Sequence, residues 1–174
     1  MGQIRGANSA LIVIAAQEDG RGIGRIRLRQ IPDASAESLH AFVLDSIQPG
    51  SVVHIDGWSG YDGLSAKGYL QEVTILKGNK ETASELLPRV HRIVGLLKRW
   101  LMGTHQGAVS HKHLDYYLDE YTFRFNRRKS KSRGKLFFRL AQQAVAVAPA
   151  PYDEIVQQTR RIAQKAKPQA VGST

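Results

Sequence analysis

The run Ala10-Leu-Ile-Val-Ile-Ala-Ala16 constrains the fold more than any other stretch of the chain. Seven apolar residues without a polar break leave a strand no face fit for water, so it needs cover on both sides, as a sheet layered between helices provides. Asp19, Gly20 and Gly22 then mark a tight turn. From Ile23 to Ile31 the residues alternate, with Ile23, Arg25, Arg27 and Arg29 on one face against Gly24, Ile26, Leu28 and Gln30. The two runs predict a hairpin whose second strand shows a basic face. Its arginines suit contact with a phosphate backbone, but exposed strands also carry cations to discourage edge pairing, and we favour the second account.

A helix is expected over Ala36–Ile47, capped by Asp33 or Ser35, with Leu39, Phe42, Val43 and Ile47 on one side. Next comes Ser51-Val-Val-His-Ile-Asp56, a β-branched run between Pro49-Gly50 and Gly57, which reads as a buried strand ending in a carboxylate. The C-terminal ends of strands are where α/β sheets place ligands and chemistry. An aspartate before glycine also simply begins turns. Trp58 and Tyr61 follow among Gly57, Gly60 and Gly63, placed either to stack on unpaired bases or to plug the loop onto the core.

A further strand is expected over Tyr69–Leu76, and Thr82–Glu85 has the form of a capping box, with Pro88 an equally good helix start. The long helix expected over Leu86–Met102 buries Val90, Val94, Leu97 and Leu101, with Ile93 flanking that stripe. His91 and Lys98 are seven residues apart, nearly two turns, so one stripe carries a metal-capable imidazole and a cation, with Gly95 between them. Arg89, Arg92 and Arg99 remain outside. No acidic residue occurs between Glu85 and Asp115, and such a bias suits a surface laid against DNA better than an ordinary solvated face. Residues 110–127 make another helix. Arg124 to Lys135 holds seven cations, among them Arg127, Arg128, Lys129, Lys131 and Arg133, as a flexible basic segment that neutralises phosphates. Helical composition returns over Leu136–Val147.

Charge supports a polyanionic partner. The formal net charge is +10 and the pI near 10.1, and cations in such excess gain by displacing counterions from phosphates. The chain has no cysteine, so thiolate metal sites and disulfides are excluded. Neither a membrane-length apolar run nor a signal peptide is visible, which predicts a cytoplasmic protein.

With these residues in place, the chain resembles the catalytic domain of DDE transposases and retroviral integrases. The resemblance is carried by His54-Ile-Asp56-Gly-Trp58-Ser-Gly-Tyr61, then Leu96-Leu-Lys98-Arg99-Trp-Leu-Met-Gly103-Thr, then His113-Leu-Asp-Tyr-Tyr-Leu-Asp119-Glu120-Tyr-Thr-Phe-Arg124-Phe-Asn126-Arg127-Arg128. These blocks are similar to one family of bacterial insertion-sequence transposases that accepts Asn or His at the third catalytic position. The similarity spans about residues 9–155. It implies an α/β, ribonuclease H-like mixed sheet flanked by helices, with residues 1–8 irregular, 9–155 the catalytic domain and 156–174 a basic tail. It also implies a nucleoid-associated bacterial protein, acting as a homo-oligomer on double-stranded DNA at terminal inverted repeats.

The resemblance further implies metal-dependent phosphoryl transfer, in which water or a 3′ hydroxyl attacks a phosphodiester. Asp56 and His91 would hold Mg²⁺ or Mn²⁺, and Lys98 would hold a DNA phosphate near the scissile bond, with Arg92, Arg99 and the cations from Arg124 to Arg133 along the DNA. Imidazole is a softer ligand than carboxylate and favours Mn²⁺. The family's first catalytic Asp lies on a strand before Ser9, and nothing at residues 1–8 supplies it. The expectation is a domain lacking its first strand and inactive alone. The alternatives are a metal-dependent DNA nuclease that cuts without joining, and a non-catalytic DNA-binding remnant or regulator.

Overall fold

The structure is a computed structural model that describes residues 10–74, 87–107, 109–149 and 151–152. The chain splits into two units, Met1–Lys129 and Ser130–Thr174. In the first, β1 (Leu11–Asp19) and β2 (Gly22–Ile31) form an antiparallel hairpin, closed at Gly20 with φ +56°. Helix α1 (Ala36–Ser46) follows, then β3 (Val52–Ile55) and β4 (Leu70–Val73), which pair in parallel. Two longer helices, α2 (Pro88–His105) and α3 (Leu114–Asn126), complete the unit. This is the mixed α/β architecture of a ribonuclease H-like domain. Among the described residues, however, the two strand pairs are separate and no strand joins them.

The hairpin is covered on both faces, as its apolar first strand requires. Val13 and Ile31 pack with Leu39, Phe42 and Val43 of α1 and with Leu64 and Tyr69. On the opposite face Ile23, Ile26 and Leu28 meet Ile93 and Leu97 of α2 and Leu114, Leu118 and Tyr121 of α3. Alternation of successive side chains along β1 thus feeds two cores. Ile23 departs from the simple alternation. The register slips between Ala16 and Glu18, where β2 carries one residue more than β1. That bulge moves Ile23 from the side of the arginines onto the side of Ile26 and Leu28. Of the arginines, Arg29 pairs with Asp45 at 3.0 Å and lies over the Phe42 ring.

Ser35 caps α1, its hydroxyl accepting from Ser38 N–H at 3.3 Å. Asp33 accepts from Ser35 N–H at 3.0 Å and from the Ser38 hydroxyl at 2.8 Å. Pro88 occupies the first turn of α2, where its missing N–H costs nothing. The buried centre of α2 is Ile93 and Leu97, with Val90, Val94 and Leu101 only half-buried, so the apolar stripe is turned toward the residue expected at its margin. The capping-box residues 82–85, the end of the strand expected to reach Leu76 and the tail beyond 152 lie outside the described residues.

The second unit contains α4 (Arg133–Ala146). The basic stretch read as flexible is therefore helical at both ends, with Arg124 still in α3 and Arg133 already in α4. Phe137 and Phe138 are exposed on α4.

Candidate functional site

Strand β3 pairs with β4 from its start and ends at Ile55, which is buried, so Asp56 emerges into solvent as the chain leaves the sheet. One of its carboxylate oxygens accepts from Trp58 N–H at 3.2 Å, the bond of an aspartate that begins a turn. Gly57 follows with φ +76°, a conformation that favours glycine. The loop is then tied down, with the Trp58 indole N–H donating to Ala34 C=O at 3.0 Å. Gly60 sits so close to Ala34 and Leu39 that a Cβ there would lie 2.7 Å from each. The two readings of the aromatics divide between them. Tyr61 packs against the α1 core, whereas Trp58 is held by its nitrogen and leaves its ring 54% exposed.

Burial pushes the Tyr61 phenol above its ordinary pKa, and the Asp56 carboxylate raises it further. Because the protonated phenol is favoured in the folded state, this contribution to stability is complete below the ordinary phenol pKa and is lost as pH rises through the folded value. Asp56→Asn therefore lowers the Tyr61 titration midpoint and shrinks the alkaline loss. Ultraviolet titration, with Tyr61→Phe as the blank, measures both. An unchanged midpoint would mean that the two groups do not sense each other.

His91 lies in the first turn of α2, its N–H bonded to Leu87 C=O at 3.1 Å. His91, Arg92, Lys98 and Arg99 are all exposed, on the side of α2 turned from Ile93 and Leu97. None of the four makes an ion pair among the described residues. The charge bias thus becomes one uncompensated basic helix face. Strand β3 and the start of α2 border the same cleft, lined by residues up to Ile55 and Val90, the neighbours of Asp56 and His91. No hydrogen bond or ion pair joins Asp56 to His91, and among the described residues no three carboxylate, imidazole or thiol groups converge. His54 pairs instead with Glu72 across the β3–β4 ladder at 3.2 Å.

The cations after α2 are differently placed. Arg124 pairs with Glu120 at 2.7 Å, and Lys129 with Asp19 at 2.9 Å, which holds the Asp19 carboxyl below its ordinary pKa. Arg127 stacks on Phe123, while Arg128 stacks on Phe125 and donates to Ile23 C=O and Gly24 C=O. Lys131 is exposed in the second unit, and of Arg133 the helical backbone is described. Sequence reasoning missed Asn126. Its carboxamide accepts from Ile26 N–H at 2.7 Å and donates to Ile26 C=O at 3.0 Å, standing in for a neighbouring strand. An asparagine ending a helix gives no hint of a strand edge a hundred residues earlier.

The α/β domain thus carries a carboxylate at the end of β3 and a basic outer face on α2. The model of the ISXO2-like transposase domain family matches residues 2–126, and the chain belongs to that family. No curated protein matches it. No helix among the described residues is long and apolar enough to cross a membrane.

Proposed function

We propose that this chain is a DNA-binding domain of an insertion-sequence transposase whose machinery for strand cleavage and transfer is incomplete. Membership of the ISXO2-like transposase domain family carries the reading. The uncompensated cations on the outer side of α2 support it, since exposed arginines and lysines without carboxylate partners are available to phosphates. Lys98 holds a phosphate of the DNA, with Arg92 and Arg99 alongside. The cations Arg124, Arg127, Arg128 and Lys129 add to the field, and Lys131 and Arg133 are assigned to DNA phosphates in the second unit by itself. The DNA is the double-stranded terminal repeat, bound by more than one copy in the bacterial cytoplasm.

Transposase domains of the DDE type use divalent metal ions, and Asp56 and His91 are the groups assigned here to Mg²⁺ or Mn²⁺. They do not make a complete site. Among the described residues no three carboxylate, imidazole or thiol groups converge, and Asp56 and His91 supply few of the ligands such an ion takes. A hard divalent cation takes about six oxygen ligands. On this reading, strand cleavage needs at least one carboxylate beyond Asp56 and His91.

The test is a binding and cleavage assay on duplex DNA bearing the element's terminal repeats. Affinity is expected to fall about tenfold or more between 50 and 200 mM salt, as several released counterions require. The triple variant Arg92→Ala, Lys98→Ala, Arg99→Ala is expected to flatten that dependence. No strand should be cut with Mg²⁺ or Mn²⁺. Absence of salt-sensitive binding would defeat the DNA reading, and cutting abolished by Asp56→Ala would defeat the claim of inactivity.

A further inference from the structure

The chain has two tryptophans, and they are set in opposite ways. Trp100 is half-buried, its ring centre 4.7 Å from that of His105 and 5.4 Å from that of Tyr121. Trp58 is 54% exposed, yet the loop that carries it is held at several points. Its main-chain N–H donates to Asp56, its indole N–H donates to Ala34 C=O at 3.0 Å, and Tyr61 packs against the α1 core. Gly60 lies so close to the indole that a Cβ there would come within 2.8 Å of the ring nitrogen. A bond from the ring to the main chain and a glycine against it fix how the ring stands. Val73, equally exposed, borders the same turn, its Cγ1 lying 3.3 Å from where a Cβ on Gly57 would be.

An exposed indole whose one N–H is already used offers a ligand its π face and no hydrogen bond. The matching group is flat and has a π face of its own. Asp56 and Asp62 are exposed on either side of Trp58 in the chain, so a phosphate is repelled from the ring while an uncharged base is not. A cationic side chain would also suit a ring among carboxylates, but a chain of net charge +10 repels a cationic partner. In a domain that binds DNA, the remaining candidate is a base. Bases within a duplex are paired and stacked on one another, so only an unpaired base reaches the ring. The fixed setting favours that contact, because little rotamer freedom is left to lose when the base arrives.

We propose that Trp58 is a stacking platform for one unpaired DNA base, two residues along the chain from Asp56. Base stacking on an aromatic side chain accepts any base, so the platform recognises an opened strand and not a sequence. The proposal rests on the DNA-binding reading and adds to it a preference for DNA with an unpaired end. Arg92, Lys98 and Arg99 contribute affinity for phosphates, and Trp58 distinguishes an open strand from a closed duplex.

The test uses the full chain and DNAs of one sequence: a blunt duplex, the same duplex with a short 3′ overhang, and that overhang made of abasic nucleotides, which keep their phosphates. The base-bearing overhang should bind about fivefold or more tighter than the abasic one, as stacking of one base gives. It should also quench tryptophan emission, and the quenching should vanish in Trp58→Leu, where only Trp100 emits. Trp58→Leu should abolish the preference for bases while leaving blunt-duplex affinity and its salt dependence unchanged, and Trp58→Phe, which keeps a ring, should retain part of it. The comparison of overhangs on the unaltered chain needs no variant to fold. Equal binding of the two overhangs overturns the proposal. So does an equal loss on all three DNAs in Trp58→Leu, which would make the ring structural, and so does quenching of Trp58 by a short oligoarginine peptide as strong as by the overhang. Salt-sensitive binding of the blunt duplex without any preference for bases overturns this proposal alone, whereas no binding of any DNA defeats the DNA reading with it.

Discussion

Asn126→Ala lowers the stability of the first unit by about 2–3 kcal/mol, a large effect for a polar residue at the end of a helix. The reason is that one carboxamide satisfies two main-chain groups of Ile26, at 2.7 and 3.0 Å, in a partly buried setting. Each main-chain group left without a partner costs on the order of 1–3 kcal/mol when water cannot reach it, and partial access brings the pair toward the lower figure. Asn126→Asp separates the two bonds. It keeps an acceptor for Ile26 N–H and loses the donor to Ile26 C=O, so it should show roughly half the loss. Urea unfolding of both variants measures the ratio. A change below about 0.5 kcal/mol for the alanine variant would mean that water replaces the carboxamide freely.

The second large effect is at Ile93. It is fully buried between the hairpin and α3, and truncation to alanine removes apolar contact and leaves a cavity, costing about 2–5 kcal/mol. A domain has only about 5–15 kcal/mol in total, so Ile93→Ala should come near to unfolding the unit at body temperature. Val94→Ala, one residue along and only half-buried, should cost about 1 kcal/mol or less. Thermal unfolding of the two variants distinguishes the observed helix orientation from the one the sequence suggested. Equal losses would place both residues on the same rim.

That contrast also shows what the sequence revealed and where it stopped. Contact within one element follows from spacing, so the hairpin, α1 with its Ser35 cap and the strand leading to Asp56 were all legible. The long helix was legible as a helix, but its orientation was set by what packs on it. Val90, Val94, Leu97 and Leu101 form as good an apolar stripe as the one centred on Ile93 and Leu97, and only the positions of β2 and α3 decide between them. The Ile23 bulge escaped for a similar reason, because one additional residue in β2 is invisible until its partner strand fixes the register. The cations from Arg124 to Lys129 looked interchangeable in a basic run. Their partners Glu120, Phe123, Ile23 and Asp19 separate them, the first two lying one helical turn back and the last two on the hairpin. At the site itself, the sequence supplied Asp56 and His91 as candidates, but a turn-forming aspartate and a strand-end ligand are written with the same residues.

The carboxamide of Asn126 has a consequence for solubility. A β-ribbon with two bare margins is a template on which identical ribbons can stack without end, and such stacking is how sheet proteins begin to form fibres. Occupying the Ile26 position of one margin with a side chain from the protein's own helix makes that side a terminator. Main-chain pairing with another copy along this margin is then interrupted at Ile26.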